Sequence, residues 1–500
     1  MLRLEDVRRV ARGPKTWVSL SPEAAARMSD SRRLIEGLVN SGEPVYGVTT
    51  GFGRLADVTI APEQRVTLQH NLVRSHASGM GARMDREAVR ALMLLRANAL
   101  ARGHSGCRVV LVERLLALLN AGIHPRVPEF GSVGASGDLA PLAHVALALI
   151  GEGPAEKDGA ESPVADLMRH AGIEPLTLGS KEGLALINGT QATTGLGILA
   201  LLAAERAVDT AEVAGAMSLD ALLGTPEPFR KEIQDARPHA GQARSAARLR
   251  ALLAGSEIRE SHRKGDPRVQ DAYSLRCMPQ VHGAAREALG YVRGVLEIEA
   301  NSATDNPLVF PEAGVVVSGG NFHAQIVSQA LDILAIAVAD LAAISERRIE
   351  RLLNPDLSMG LPAFLTSHAG LESGFMIAQV TAVDLLAEMR ILAHPASVDT
   401  VTTSANQEDH VSMGLAAARK ARRSVACLEM VLAAELMCAA QGIDCRRPLS
   451  SSEAIETAHA RIRIDVSKLN GDRVLGPDLD ALTDLVRSGE LAEIGAKVIT

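Results

Sequence analysis

The tripeptide Ala135-Ser136-Gly137 is the part of this sequence with the most unusual chemical potential. It lies in GSVGASGDLAPLAH, where glycines precede it and an aspartate follows it. Small residues let a backbone fold tightly against itself, and a tight turn would bring the glycine nitrogen onto the alanine carbonyl carbon. Cyclisation there, with dehydration of the serine, would give a methylidene-imidazolone, a strong electrophile that needs no added cofactor. A second copy at Ala77–Gly79 shows that the tripeptide alone is not diagnostic.

Two of the three tyrosines and one arginine lie in polar, loop-like motifs. Tyr46 opens YGVTTGFG, and Tyr273 lies in QDAYSLRCMPQ with Arg276 three residues later. A phenol is ordinarily protonated at neutral pH, so a catalytic base would need nearby positive charge or hydrogen bonds. A guanidinium can hold a carboxylate through two hydrogen bonds. Packing tyrosines and a structural ion pair are the open alternatives.

Further polar residues stand beside apolar runs. These are Asn188 in KEGLALINGTQ, Asn306 in TDNPL, and Gln407 and Glu408 in SANQEDHVSM. Buried polar groups need partners, so either the fold or a substrate could use them. The acidic stretch lacks the two-histidine spacing of a zinc helix, and we therefore predict no metal. YGVTTGFG lacks the features of a phosphate loop, and no G-x-S-x-G elbow of a serine hydrolase occurs.

Composition favours a large helical core. The 500 residues are 47% hydrophobic but only 2% aromatic, and alanine and leucine, both strong helix formers, dominate. The net charge of −7 comes without a basic stripe, so we expect no nucleic-acid partner. Five cysteines without paired spacing indicate a reduced, cytoplasmic chain. We expect no signal peptide, and no apolar stretch reaches the roughly 20 residues of a membrane span.

The elements that would position these residues change character along the chain. Residues 1–190 combine Gly-rich loops with short helical segments, for example over 88–101 and 109–119, and residues 191–500 read as longer helices. The sequence therefore predicts a mainly α protein, a long-helix bundle with a loop-rich N-terminal region that carries the tripeptide. We expect two domains with those bounds.

Two apolar stripes and one hairpin are predicted in the second part. One stripe runs from Leu331 to Leu341 at spacings of three and four, with Ile333 and Ile336 on the other side, which predicts a helix enclosed on all sides. A second stripe runs over 425–436. Residues 308–310 and 315–317 predict a β-hairpin that delivers GGNFH to a loop.

Many motifs in order give the chain a family resemblance. YGVTTGFG, LQHNLVRSHASG, GSVGASGDLAPLAH, KEGLALINGTQ, QDAYSLRCMPQVHG, TDNPLVF, GGNFHA, SERRIERLLNP and HPASVDTVTTSANQEDHVSM follow one another between about Tyr46 and Arg447. The series resembles the aromatic amino acid ammonia-lyase family. The resemblance implies a helical homotetramer with shared active sites, an amino acid substrate, and an electrophilic ring formed autocatalytically from the tripeptide.

The resemblance also implies roles, position by position. Tyr46 matches the base that takes the β-proton of the substrate, and Arg276 matches the clamp for its carboxylate. Tyr273 matches a further catalytic position. The remaining substrate-binding positions are His76, Asn188, Gln270, Asn306, Phe322, Gln407 and Glu408.

Substrate choice within the family depends on a few positions. Ser75-His76 and Glu408 resemble the histidine branch, which implies elimination of ammonia from L-histidine to give trans-urocanate. Three residues depart from that branch. Arg74 stands where those enzymes usually have an apolar residue, Gln325 where they often have Glu, and Thr49 where they commonly have Asn. Tyrosine or phenylalanine ammonia-lyase and an aminomutase are therefore alternatives within the family. A catalytically silent helical assembly protein and a fumarase-like lyase are alternatives from other classes, although the signature loop of the latter is not found.

Overall fold

The computed structural model describes residues 1–13, 16–41 and 45–497, and over these residues the chain forms twenty α-helices and seven short strands. The helices before residue 190 are α1 Leu4–Arg12, α2 Pro22–Ser41, α3 Arg65–His76, α4 Arg86–Ala101, α5 Val109–Asn120, α6 Leu139–Leu149, α7 Val164–His170 and α8 Glu182–Ile187. Those that follow are α9 Gln191–Ala221, α10 Lys231–Asp235, α11 Ala240–Leu252, α12 Glu257–Ser261, α13 Tyr273–Arg276, α14 Met278–Glu299, α15 Gln325–Leu353, α16 Met376–Leu392, α17 Gly414–Cys445, α18 Glu453–Asp465, α19 Gly476–Ser488 and α20 Glu490–Lys497. The prediction of a mainly α fold is confirmed.

The strands are short and antiparallel. They are β1 Met80–Arg83, β2 His124–Pro125, β3 Pro128–Phe130, β4 Pro154–Lys157, β5 Ala160–Pro163, β6 Leu308–Phe310 and β7 Val315–Val317. β1 pairs with β3, β4 lies between β2 and β5, and β6 pairs with β7. The predicted hairpin is confirmed, with Leu308 opposite Val317 and Phe310 opposite Val315. It leads into the loop that carries Phe322.

The chain divides into two compact units. Unit 1 comprises Met1–Leu199, Arg293–Asp332 and Pro395–Arg419, and unit 2 comprises Ala200–Val292, Ile333–His394 and Lys420–Thr500. The expected division into residues 1–190 and 191–500 stays a prediction.

Helix α4 lies in the core of unit 1. Asp85 caps its N-terminus by accepting a hydrogen bond from the Ala88 amide at 2.9 Å, which satisfies one of the free donors of the first turn. Twelve of its sixteen residues are buried. Among them are two arginines, Arg90 and Arg96. Buried cations of this kind need hydrogen-bond acceptors in the interior.

The long helices α17 and α15 confirm one predicted stripe and correct another. Val425, Leu428, Leu432 and Leu436 are buried, as the spacing predicts. On α15 the predicted face is buried as well, but Ile333 and Ile336 are 36% and 47% exposed. The prediction of a helix enclosed on all sides is therefore wrong for this single chain, because periodicity identifies an apolar face without identifying what covers it.

Two helices have the length and hydropathy of a membrane span, contrary to the expectation that no apolar stretch is long enough. They are α15 and α17, and their most apolar windows are 56% and 89% buried within the protein. A core helix of a water-soluble protein passes the same test, so this is weak evidence for a membrane.

Candidate active site

The tripeptide Ala135-Ser136-Gly137 forms a tight turn between β3 and α6. Gly137 has φ +76°, and a Cβ placed there would overlap the Gly189 carbonyl oxygen and lie 2.6 Å from its carbon. Only glycine fits both the conformation and the space. Gly137 also forms a parallel bridge with Gly189, so the end of the tripeptide is packed directly against a second backbone segment.

Asp138 anchors the turn from inside unit 1. Its carboxylate is fully buried and accepts hydrogen bonds from the Thr193 amide at 2.8 Å, the Thr193 hydroxyl at 2.9 Å and the Ser132 hydroxyl at 3.0 Å. Its amide donates to the Gly189 carbonyl at 2.7 Å. Burial raises the pKa of the Asp138 carboxyl, and these donors oppose the rise. Asp138 had no predicted role, although its place beside the tripeptide was a signal.

Glu408 holds the serine of the tripeptide. The Ser136 hydroxyl donates to Glu408 Oε1 at 2.8 Å, and the hydroxyls of Thr403 and Ser404 each donate to Oε2 at 2.7 Å. Partial burial pushes the pKa of Glu408 upward, but the three hydroxyl donors and nearby His76 outweigh it, so the pKa lies below its ordinary value. Glu408 is therefore ionised at neutral pH and acts as an acceptor.

Two adjoining cavities of unit 1 open onto Ser136. One has a volume of about 560 Å³ and the other about 740 Å³, and Tyr46, Ser136, Asn188 and Glu408 line both. The sequence-predicted residues that line the first are Tyr46, Ala135, Ser136, Asn188, Asn306, Phe322, Gln407 and Glu408. His76 lines the second. The fold therefore brings nine of the predicted residues to these cavities, and Gly137 adjoins them in the turn.

Tyr46 lies in a turn segment of unit 1 and is half-buried. Its hydroxyl oxygen accepts a hydrogen bond from the Gly53 amide at 3.1 Å. Because the amide is the donor, this contact does not use the hydroxyl proton of Tyr46, which can still be donated to a bound molecule. Gly53 was not among the predicted partners of this tyrosine.

Two asparagines contribute amides to the cavity wall. Asn188 follows the C-terminus of α8, and its Oδ1 is buried without a hydrogen-bond partner among the described residues. A buried acceptor of this kind ordinarily has a partner, so Asn188 is suited to a donor on a bound group. Asn306 Oδ1 accepts from the Gly319 amide at 2.8 Å, which ties the asparagine to the loop after the hairpin.

His76 ends helix α3. Its Nδ1 lies 2.8 Å from the Leu72 carbonyl oxygen, an acceptor, so Nδ1 carries the proton and Nε2 keeps its lone pair. Burial lowers the pKa of His76 more than the Leu72 carbonyl and Glu408 raise it. The imidazole is therefore neutral at neutral pH and offers one acceptor to the cavity.

The structure places the residues that depart from the histidine branch. Arg74 is exposed and pairs with Glu152, to which its Nε donates at 3.0 Å. Thr49 is buried, and its hydroxyl accepts from the Val45 amide at 2.8 Å. The Gln325 amide donates to the Ser397 carbonyl at 3.1 Å. None of these three lines the two cavities.

Three predicted residues belong to unit 2. Gln270 is exposed, Tyr273 is 71% exposed, and the Arg276 guanidinium carbon lies 4.6 Å from the centre of the Tyr273 ring. Arg276 Nε is buried without a partner among the described residues. Neither unit by itself brings these three together with the other ten residues, so their role stays a prediction.

The chain is similar to several known proteins in sequence and in fold. The sequence profile of the family described as "Aromatic amino acid lyase" matches residues 2–464. A histidine ammonia-lyase of Anaeromyxobacter dehalogenans is 55% identical over 498 residues, covering 98% of both chains. The crystal structure of histidine ammonia-lyase from Trypanosoma cruzi matches with a TM-score of 0.93 and 44% identity, over 99% of this chain and 94% of that one. Tyrosine aminomutase from Streptomyces globisporus matches with a TM-score of 0.94 and 41% identity, over 99% and 97%. The chain belongs to the aromatic amino acid lyase family.

Proposed function

We propose that this protein is a histidine ammonia-lyase, which eliminates ammonia from L-histidine and forms trans-urocanate. The observation that carries the proposal is the polar cavity wall, where ionised Glu408 and neutral His76 stand beside Ser136. A substrate imidazole has one N–H donor when neutral and two when protonated, and the carboxylate and the imidazole acceptor suit these donors. Against a phenyl ring His76 Nε2 would be left unpaired, and so would Glu408 Oε1 once Ser136 has lost its hydroxyl, which is costly. The names of the relatives from Anaeromyxobacter and Trypanosoma support the same substrate.

The tripeptide residues fit the electrophilic ring that the family resemblance implies. We propose that the Gly137 nitrogen bonds to the Ala135 carbonyl carbon, and that the carbonyl oxygen leaves as water with the amide protons of Ser136 and Gly137. Ser136 then loses its hydroxyl and its Cα hydrogen as a second water. No oxidant is consumed. The ring would supply an electrophilic exocyclic carbon that lets ammonia depart.

Tyr46 is the proposed base for the β-proton. Its hydroxyl lies in the cavity wall with Ser136, and as a phenolate it would take the proton while the Gly53 amide keeps a hydrogen bond to its oxygen. A positioned general base contributes roughly 10²–10⁴ in rate. Asn188, Asn306, Phe322 and Gln407 would orient the substrate.

Arg276 is the proposed clamp for the substrate carboxylate, with Gln270 and Tyr273 beside it in the chain. The exposure of Tyr273 and the unpartnered Nε of Arg276 support a contact outside this single chain. We propose that another subunit of a homotetramer presents these residues to the cavity.

Exposed apolar side chains of unit 2 support that assembly. Ile333 and Ile336 on α15, and Ile377, Val380 and Ile391 on α16, are all exposed. Apolar surface of this kind usually marks an association site, and symmetric homo-oligomers are the common outcome. We expect a tetramer by native mass measurement, acting in the cytoplasm without metal or added cofactor.

A tyrosine-specific aminomutase or ammonia-lyase is the second candidate. Gln325 resembles that branch, its Oε1 is buried without a partner among the described residues, and the Streptomyces tyrosine aminomutase shares the fold. In an aminomutase the ammonia returns to the β-carbon, so the products distinguish the two activities.

A substrate panel tests the proposal. Purified protein is mixed separately with L-histidine, L-tyrosine and L-phenylalanine, the conjugated acrylate is followed in the ultraviolet, and β-amino acids are sought by chromatography. Ser136→Ala is the matched control because it keeps the backbone and removes the hydroxyl that the ring requires. We expect turnover of histidine in the wild type alone. Inert histidine with active tyrosine would refute the substrate, and no turnover at all would favour a silent assembly protein.

A further inference from the structure

A buried arginine that the proposed mechanism does not use lies behind the ring-forming turn. Arg96 of α4 is 1% exposed. Its guanidinium donates to the Gln191 side-chain oxygen at 2.9 Å, to the Thr304 carbonyl at 3.1 Å and to the Ala185 carbonyl. These acceptors lie on α8, at the start of α9 and in the loop before Asn306. One side chain therefore joins three segments that are distant in sequence.

Gly189 lies between Arg96 and the turn. A Cβ on Gly189 would overlap the Arg96 guanidinium and lie 2.7 Å from the Thr304 carbonyl oxygen. The carbonyl of the same glycine accepts the Asp138 amide at 2.7 Å, and its backbone bridges with Gly137. The backbone of Gly189 therefore packs against Arg96 on one side and against the turn on the other.

The acceptors of Arg96 are themselves fixed. Asp305, next to Thr304, accepts a hydrogen bond from the Lys181 ammonium at 2.9 Å, and both side chains are buried. The other carboxylate oxygen of Asp305 accepts the Asn306 amide at 2.7 Å. The arginine therefore holds Gly189 against a rigid support rather than against a mobile loop.

We propose that Arg96 is a positioning residue for ring closure: it presses Gly189 against Gly137 and keeps Gly137 at the positive φ from which its nitrogen bonds to the Ala135 carbonyl carbon. This inference rests on the proposed ring chemistry. A lysine cannot replace the planar fork, because one ammonium does not reach three acceptors in that arrangement. Arg96→Lys keeps the charge and releases the glycine.

Arg90 provides the matched control. It lies on the same helix, is equally buried, and donates to the Val10 carbonyl at 2.9 Å and the Leu119 carbonyl at 3.0 Å. None of its hydrogen bonds reaches the turn. Arg90→Lys therefore reproduces the loss of a buried guanidinium without disturbing Gly189.

The experiment follows the intact mass of each protein at intervals after synthesis, together with its thermal unfolding midpoint. Ring closure removes two waters, about 36 Da. We expect Arg96→Lys to lose this mass roughly 100-fold more slowly than the wild type, as a misplaced reacting group does. Arg90→Lys should lose it at the wild-type rate, even if its midpoint falls as far.

Three further outcomes are decisive. Equal rates of mass loss in Arg96→Lys and Arg90→Lys would overturn the inference. If Arg96→Lys does not fold, Gln191→Met removes one acceptor and keeps both arginines, and it should slow the mass loss; a wild-type rate would overturn the inference. A wild type that keeps its full mass would instead overturn the proposed function.

Discussion

Replacing Tyr46 with Phe removes one hydroxyl from the cavity wall and leaves the aromatic ring in place. The hydroxyl accepts one hydrogen bond in the structure, from the Gly53 amide at 3.1 Å. Loss of such a bond costs about 1 kcal/mol of folding free energy. If Tyr46 is the base, the same substitution lowers kcat by roughly 10²–10⁴, which corresponds to about 3–5 kcal/mol in the barrier.

These two magnitudes separate catalysis from stability. We expect Tyr46→Phe to fold with nearly the wild-type urea midpoint, to complete ring formation by mass, and to bind L-histidine with little change in KM. Only the rate of urocanate formation should collapse, because proton removal is the step that loses its base.

Tyr291→Phe is the control, since Tyr291 is exposed on α14 and lies outside both cavities. The assay is the ultraviolet absorbance of urocanate at saturating histidine, with both variants and the wild type measured side by side. A Tyr46→Phe enzyme within about threefold of the wild type would refute the base assignment, because general-base effects are far larger.

Three other perturbations follow from the structure. His76→Leu should abolish histidine turnover while leaving or raising activity on phenylalanine, because it removes the Nε2 acceptor and leaves an apolar wall; kcat/KM for each substrate measures this. His282 is fully buried, and burial together with Arg348 holds its pKa well below the ordinary value. Its unfolded form takes up the proton first, so the free energy of unfolding falls as pH drops below about 6.5. His282→Met should reduce that fall between pH 7.5 and pH 5 in urea titrations. Glu435→Gln should cost about 3–5 kcal/mol of unfolding free energy in the same titrations. The carboxylate of Glu435 accepts hydrogen bonds from the Arg348 guanidinium at 2.5 and 2.8 Å, and the substitution leaves that buried cation without its opposite charge.

Each of these has a contradicting outcome, and the last two have a control variant. Equal losses on every substrate in His76→Leu would show that the residue only supports the fold. His170→Gln changes an exposed histidine and should leave the pH dependence as it is; an unchanged slope in His282→Met as well would refute the burial argument. Glu232→Gln breaks an exposed ion pair with Arg230 and should leave the free energy of unfolding nearly unchanged. A Glu435→Gln variant with the wild-type free energy of unfolding would contradict the stabilising role of the buried pair.

Local patterns were the part of the fold that the sequence could predict. The β6–β7 hairpin and the buried stripe over 425–436 follow from residues that are neighbours in the chain, so period and turn chemistry were sufficient. The exposed Ile333 and Ile336 show the limit of that reasoning. Their pattern marks an apolar face, but whether protein or water covers it depends on contacts outside the helix.

The candidate site was predictable where one motif carried the chemistry. Ser136, Tyr46 and Glu408 were candidates from their own motifs, with roles implied by the family resemblance, and the fold brings them to shared cavities. The buried residues that support the site were not predictable, because Arg96 donates hydrogen bonds to partners 89 to 208 residues away in the chain. Arg74 shows the converse: its exposed pairing with Glu152, far along the chain, explains a departure that sequence alone left open.

The central claim is that Ala135, Ser136 and Gly137 condense into a ring. Intact-mass spectrometry of the freshly purified chain tests it without substrate, assay or assembly. We expect a wild type lighter than its translated sequence by about 36 Da, the mass of two waters, with Ser136→Ala unable to lose both. A wild-type chain at its full translated mass would contradict it.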